Sequence, residues 1–289
     1  MKTRRTIISL FLVLLGAATA CGNVVAEPSR PAPRLGLQLW SVKDELRRDF
    51  DGTLARIAQL GFQGVEFAGQ FGPYRSNPAG LKAILDKNGL QCAGAHVIIG
   101  QLAPRYFVTT TAFYKTLGCH LLVVPMDARG GDAGQAAALG KDLTDLSAKL
   151  KAENMRIGYH NHAQEFSGTV GDTAWDVIAR STPKDVVLQQ DVGWTTFAGK
   201  DPVFYVRRYP GRTVSTHFKA KVPDGAPGKP IIGQDGTDWL ALIRAVREVG
   251  GTEWIIIEQE EYPDGLTQLG AVAASSAGLK SFMADADAR

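Results

Sequence analysis

Met155-Arg156-Ile157-Gly158-Tyr159-His160-Asn161-His162 is a short, largely apolar run that ends on two imidazoles and an amide. A stripe of Leu139, Leu143, Leu146 and Leu150 precedes it. Spacings of three and four put those leucines on one face of a helix, and the run after them has the length of a buried strand. The alternation continues outward in both directions. Strand-like runs cover Leu35–Val42, Gly64–Ala68, Gln91–Val97, His120–Met126, Val186–Val192, Thr213–Lys219 and Glu253–Glu258. Leu54, Ile57 and Ala58 recur at helical spacing before Gly61, as do Leu81, Ile84 and Leu85 before Gly89. A glycine there suits a helix C-cap. Asp238 is placed to cap a helix carrying Leu242, Ile243 and Val246, which stops at Gly250. Eight strands alternating with helices predict the α/β class and a single-domain (β/α)₈ TIM barrel over residues 35–289. A doubly wound open sheet would carry a glycine-rich phosphate turn after its first strand, and Ser41-Val42-Lys43-Asp44 is not one.

The chain has 289 residues, 45% of them hydrophobic, with 32 Lys+Arg against 29 Asp+Glu. No run of five or six basic residues occurs, so neither nucleic acid nor an anionic membrane surface is an expected partner. Lys2, Arg4 and Arg5 lead into the apolar Ile7–Leu15, which gives way to Gly16-Ala17-Ala18-Thr19-Ala20-Cys21. That order reads as an export signal over 1–20, too short to span a membrane, followed by a Pro-containing linker over 21–34. Ala18-Thr19-Ala20 suits ordinary cleavage. Cys21 resembles the lipidated cysteine of a bacterial lipoprotein, except that Ala18 stands where Leu is usual; both routes stay open, so membrane contact is expected only through a lipid on Cys21. The expected location is the periplasm or a lipid anchor. Cys92 and Cys119 have apolar neighbours and are expected to be buried and unpaired. No segment marks a subunit interface.

In a barrel of this kind the helix-to-strand turns serve stability, and function sits at the C-terminal strand ends. Those ends carry Gln38 and Trp40, Glu66, His96, His160-Asn161-His162, Gln189 and Asp191, His217 and Lys219, and Glu258. Four of the five histidines belong to this set. Residues two apart share a face, so Gln189 goes with Asp191, His217 with Lys219, and His160 with His162. Asp191, His217 and Glu258, all turned inward, would form an oxygen and nitrogen donor set suited to Mn, Co, Mg, Fe or Zn. His120 begins its strand and is assigned to the opposite end of the barrel.

These segments resemble the xylose isomerase-like TIM barrels, often labelled sugar phosphate isomerases/epimerases. The likeness runs from about Leu35 to the last helix. It rests on Leu35–Val42, Gly64-Val65-Glu66, Gly158–Phe166, Gln190-Asp191-Val192-Gly193-Trp194, His217-Phe218-Lys219 and Ile257-Glu258-Gln259. The resemblance implies metal ligands from strands five to eight, in many members Glu, Asp, His and Glu. Asp191, His217 and Glu258 match by position, and His160 occupies the strand-five place. Epimerases of the family are understood to use two opposed glutamates; this chain keeps only Glu258, with Glu165 a few residues past the strand as a distant substitute.

The expected chemistry is proton abstraction next to a carbonyl of a sugar or keto-sugar. Glu258, His160 or His162 would serve as base and Lys219 as proton donor. Gln38, Trp40, Glu66, His96 and Trp194 would contact the substrate. An isomerase or epimerase is expected first. The alternatives are a metal-dependent lyase or dehydratase acting by β-elimination on a keto-sugar or keto-glycoside, a sugar-binding lipoprotein without chemistry and, least, a repair endonuclease on the same barrel.

Overall fold

A computed structural model describes residues 31–288. The expected export signal over 1–20 and residues 21–30 of the expected linker, Cys21 among them, lie outside that range. Within it, eight strands appear in the expected order: β1 Arg34–Gln38, β2 Gly64–Phe67, β3 Gln91–His96, β4 Leu121–Val124, β5 Arg156–His160, β6 Val187–Gln189, β7 Ser215–Phe218 and β8 Trp254–Ile257. Every ladder is parallel, in the order β6-β5-β4-β3-β2-β1-β8-β7. Parallel neighbours need long crossovers, and helical segments supply them on the outside. The remaining seam, between β6 and β7, is closed at the upper end by a single bridge, Asp191 to His217, with His217 N–H donating to the Gln190 carbonyl at 2.9 Å. At the lower end Leu188 N–H donates to the Arg212 carbonyl at 2.8 Å.

The strands stop earlier than their apolar runs suggest. β1 ends at Gln38, whose side-chain oxygen accepts from Trp40 N–H and starts a 3₁₀ turn, Leu39–Val42. Likewise His162, Asp191, Lys219 and Glu258 fall just past their strands. This moves them from the wall of the barrel to its rim.

Alternation divides the strand side chains between two cores. Leu35, Leu37, Val65, Phe67, Leu122, Val124, Ile157, Tyr159, Leu188, Ile255 and Ile257 face outward and pack on helix residues such as Leu54, Ile57, Leu81, Leu85, Leu143 and Leu150. Burying each such side chain contributes about 1.5–3 kcal/mol. Inward, the lower barrel holds two small groups, Ala93 with Trp254 and Ile256, and Leu121 with Val123 and Val187. Trp254 fits because Gly64 faces it: a Cβ at Gly64 would stand 2.6 Å from the indole. At the lower turns Gly61 and Gly89 take φ of +86° and +66°, the left-handed caps their positions imply. His120 is exposed at this end, its Nδ1 3.1 Å from the Asn154 carbonyl.

The cysteines correct the sequence reading. Cys92 and Cys119 are buried but not unpaired: they form a disulfide between the start of β3 and the turn before β4, with Cα atoms 5.0 Å apart. Adjacent parallel strands bring together two residues that nothing in their local sequence relates.

Candidate active site

The upper layer of the barrel interior is polar throughout. Gln38, Glu66, His160, Gln189 and His217 project into it with almost no exposed surface, and His96 stands at its edge. Glu66 is the hub. Its Oε2 accepts from Gln38 Nε2 at 2.8 Å and from His217 Nε2 at 2.5 Å, and its Oε1 accepts from Gln189 Nε2 at 2.7 Å. His96 Nε2 lies 3.2 Å from the same carboxylate. Burial alone would raise the Glu66 carboxyl, but His217 and His96 outweigh it and hold the group well below the usual carboxylate range.

This hub decides which nitrogen each imidazole offers upward. Gln189 spends its amide N–H groups on Glu66 and on Ser215 Oγ, so its oxygen faces the histidines. That oxygen lies 3.2 Å from His160 Nδ1, which therefore carries the proton and leaves the Nε2 lone pair toward Asp191, 3.9 Å away. In the same way His217 Nε2–H is held by Glu66, and Nδ1 faces Glu258 Oε2 at 3.1 Å. An imidazole whose far nitrogen is fixed by a carboxylate or amide is the arrangement that metal-ligating histidines adopt. Burial, then the neighbouring imidazoles, push His160 well below the ordinary histidine value, so it is neutral.

Asp191 serves two purposes. Oδ1 accepts from Trp194 N–H at 2.8 Å and caps the helix Val192–Phe197, while its own backbone N–H donates to Asn161 Oδ1 at 2.9 Å. Oδ2 is buried and has no hydrogen-bond partner. One donor atom from each of His160, Asp191, His217 and Glu258 can be chosen so that all four lie within 4.8 Å of one another. A buried carboxylate oxygen without a partner is unfavourable unless something positive meets it. Two imidazoles and the Glu258 carboxylate converging on that oxygen form a donor set that fits a divalent cation.

Above this layer opens a cavity of about 460 Å³, lined among others by Trp40, His96, His160, His162, Lys219, Glu258 and Glu260. Lys219 Nζ stands 3.3 Å from Glu258 Oε2 and 3.7 Å from Asp191 Oδ2, and pairs closely with Glu260. Burial would lower its ammonium, but Glu258, Asp191 and Glu260 hold it above the ordinary lysine value. His162 is opposite in character. Burial and then Lys219 push it down to about 4, and its Nδ1 is buried without a partner. The cavity thus sets a neutral imidazole with a free nitrogen beside a permanent ammonium.

The comparisons fit this geometry. A profile of the xylose isomerase-like TIM barrels matches residues 54–282. An inosose dehydratase of Clostridium tetani is 32% identical over 256 residues, covering 74% of this chain and 83% of the relative. The chain belongs to the xylose isomerase-like TIM barrel family. A rhizopine catabolism protein of Rhizobium meliloti is 25% identical over 284 residues, covering 81% of this chain and 84% of that protein. Among solved structures, a sugar phosphate isomerase/epimerase from Parabacteroides distasonis shares the fold, with a TM-score of 0.74 and 22% identity over 89% of this chain and 97% of the other. The chain is an enzyme of this fold.

Measured against the family pattern, His160 stands at strand five. Glu165 does not replace the missing glutamate: it is buried outside the barrel wall, accepting from Tyr159 Oη at 2.9 Å and from His162 N–H at 2.8 Å. Among the expected substrate contacts, Trp40 and His96 do line the cavity. Gln38 and Glu66 lie beneath the histidines with no exposed surface, as supports of the site. Trp194 stands behind His162, their rings 5.6 Å apart, and under the Lys219 ammonium at 4.8 Å. Glu260, two residues past Glu258, also lines the cavity and pairs with Lys219. Gln189 had one sequence signal, its place two residues before Asp191.

Proposed function

We propose that this chain uses a divalent metal to take a proton from the carbon next to the carbonyl of a neutral keto-sugar or keto-cyclitol and returns it as an isomerase or epimerase. The observation that carries the reading is the convergence of His160, His217 and Glu258 on Asp191 Oδ2, a buried oxygen without a hydrogen bond, directly below a cavity that holds His162 and Lys219. When bound, the ion would supply Lewis-acid polarisation of a carbonyl and a neighbouring hydroxyl. Asp191, His160, His217 and Glu258 would hold it. His162 is neutral at pH 7 and lines the cavity, which suits its imidazole to accept the substrate proton. Lys219 keeps its charge and stands ready to donate toward the oxygen on which negative charge develops. Trp194 and Glu260 fix the position of Lys219, and Trp40 offers a flat face to the sugar ring.

A dehydratase is the second reading. It is favoured by the asymmetry of the site, one base and one cationic donor instead of two carboxylates, and by the inosose dehydratase relative. There Lys219 would protonate a departing hydroxyl. Incubation of the metal-loaded protein with ketohexoses and keto-inositols in D₂O separates the outcomes. Deuterium gained at a carbon beside the carbonyl marks isomerase-type exchange, and loss of one water marks elimination. His162→Gln and Lys219→Met should each slow the productive reaction by about 10²–10⁴. Neither exchange nor elimination on any of these substrates would sink the proposal.

We also place the chain outside the cytoplasm. The basic and apolar start, Lys2 to Leu15, supports this, as does a disulfide of the kind kept in oxidising compartments.

A further inference from the structure

A second cavity, of about 660 Å³, adjoins the first and shares Trp40, Gly69, Phe71 and Arg75 with it. The metal-side cavity alone already lies within the size range of small-ligand sites. One sugar ring seated there leaves the larger neighbour to water. The neighbour is built to hold more than water. Leu46 and Phe50, both buried, contribute apolar surface to it. Its carboxylates are already engaged: Asp49 Oδ1 accepts from Gly52 N–H at 2.9 Å and Oδ2 lies 3.5 Å from Arg56, while Asp51 accepts from Tyr74 Oη at 3.1 and 3.0 Å. Its cations are not all engaged. Lys43 Nζ lies 4.2 Å from the Trp40 ring centre and the Arg75 guanidinium 5.9 Å from that of Phe71. Neither is within ion-pair distance of a carboxylate among the described residues. Aromatic and aliphatic surface with two available cationic donors suits a second ring that carries oxygen substituents.

We propose that the substrate is a glycoside: its keto-sugar ring occupies the metal-side cavity, and a second ring, joined through the glycosidic oxygen, passes Trp40 into the adjoining cavity. This rests on the reading above for what the metal side holds. The second ring is a sugar or an oxygenated aryl group, and the chemistry common to both is a flat face with hydrogen-bond acceptors at its rim. Lys43 and Arg75 donate to those acceptors.

Calorimetric titration of the Mn²⁺-loaded protein tests this without turnover, using D-glucose, 4-hydroxyphenyl β-D-glucoside and cellobiose as probes. Two variants accompany the wild type, Lys43→Ala and Arg47→Trp. Both positions line the second cavity only, and Arg47 is exposed, so its indole would fill space without disturbing the core. At least one two-ring probe should bind the wild type tenfold or more tightly than D-glucose. That advantage should fall to less than threefold in Arg47→Trp, with D-glucose affinity unchanged, and should weaken in Lys43→Ala. Gain with the hydroxyphenyl glucoside alone assigns an aryl second ring, and gain with cellobiose alone assigns a sugar. Equal affinity for all three probes, no binding of any, or an advantage that survives both variants would overturn the inference. Selective two-ring binding without deuterium exchange would count against the reaction alone; exchange with equal binding would count against the glycoside alone.

Discussion

Removing the Cys92–Cys119 bond by the double Cys92→Ala, Cys119→Ala substitution should destabilise the barrel without unfolding it. The bond closes a loop of 27 residues. The chain-entropy relation, about 2.1 cal/mol/K plus 1.5R ln 27, gives roughly 12 cal/mol/K, or about 3.5 kcal/mol at 25 °C. At about 2–4 °C per kcal/mol for a chain of this size, the melting temperature should drop by roughly 7–14 °C. The two sulfurs are buried at the foot of β3 and beside β4, far from the metal-side rim, so metal content should not change. The assay is thermal unfolding by circular dichroism of the wild type, the wild type with a phosphine reductant, and the double variant. Reductant should lower the wild-type midpoint toward that of the variant and leave the variant unmoved. Equal midpoints in all three samples would refute the reasoning, because they would mean that the bond does not constrain the unfolded chain. A thiol titration of the unfolded wild type, expected to find neither Cys92 nor Cys119 free, guards against an incompletely oxidised sample.

Two further outcomes follow from the site and the barrel. Metal affinity should rise with pH between about 6 and 8. Burial pushes the metal-free Asp191 carboxyl up to about 7, and the Glu66 and Glu258 carboxylates overcome burial to raise His217 to about 10. Both groups hold protons that a cation must displace, so affinity falls with pH below about 10 through His217 and more steeply below about 7 through Asp191, and calorimetry in buffers of different ionisation enthalpy should show proton release on binding. A pH-independent affinity would contradict the assigned ligands. Separately, Gly64→Ala should destabilise by about 1–3 kcal/mol, since the new methyl would meet the Trp254 ring at 2.6 Å and the Gln91 carbonyl at 2.9 Å; a chemical denaturation midpoint equal to the wild type would show that the lower barrel is looser than described.

Much of this was legible in the residues. The eight strands could be read because a buried parallel strand is a short apolar run, and runs such as Trp254–Ile257 admit few other structures. Asp191, His217 and Glu258 could be read because strand order brings their ends together. Depth was not legible: Glu66 sits at a strand end like the others, and only the three-dimensional packing shows it turned beneath the histidines. Strand ends were overestimated where a side chain intervenes, as Gln38 does by capping the turn after β1. The Cys92–Cys119 pair was hidden because the pairing depends on the neighbouring of β3 and β4, which single-residue context does not encode. Glu165 had the right charge and nearly the right position, but Tyr159 and the His162 backbone hold it on the outer side of the wall.

Metal content is the most direct test of the site. Elemental mass spectrometry of the purified protein, reconstituted in parallel with Mn²⁺, Co²⁺ and Zn²⁺, should find about one ion per chain, and Asp191→Ala and His217→Ala should each lose it while keeping a folded barrel by circular dichroism. A wild-type protein that retains none of these ions, or an Asp191→Ala variant that retains a full complement, would contradict the central claim that His160, Asp191, His217 and Glu258 form one cation site.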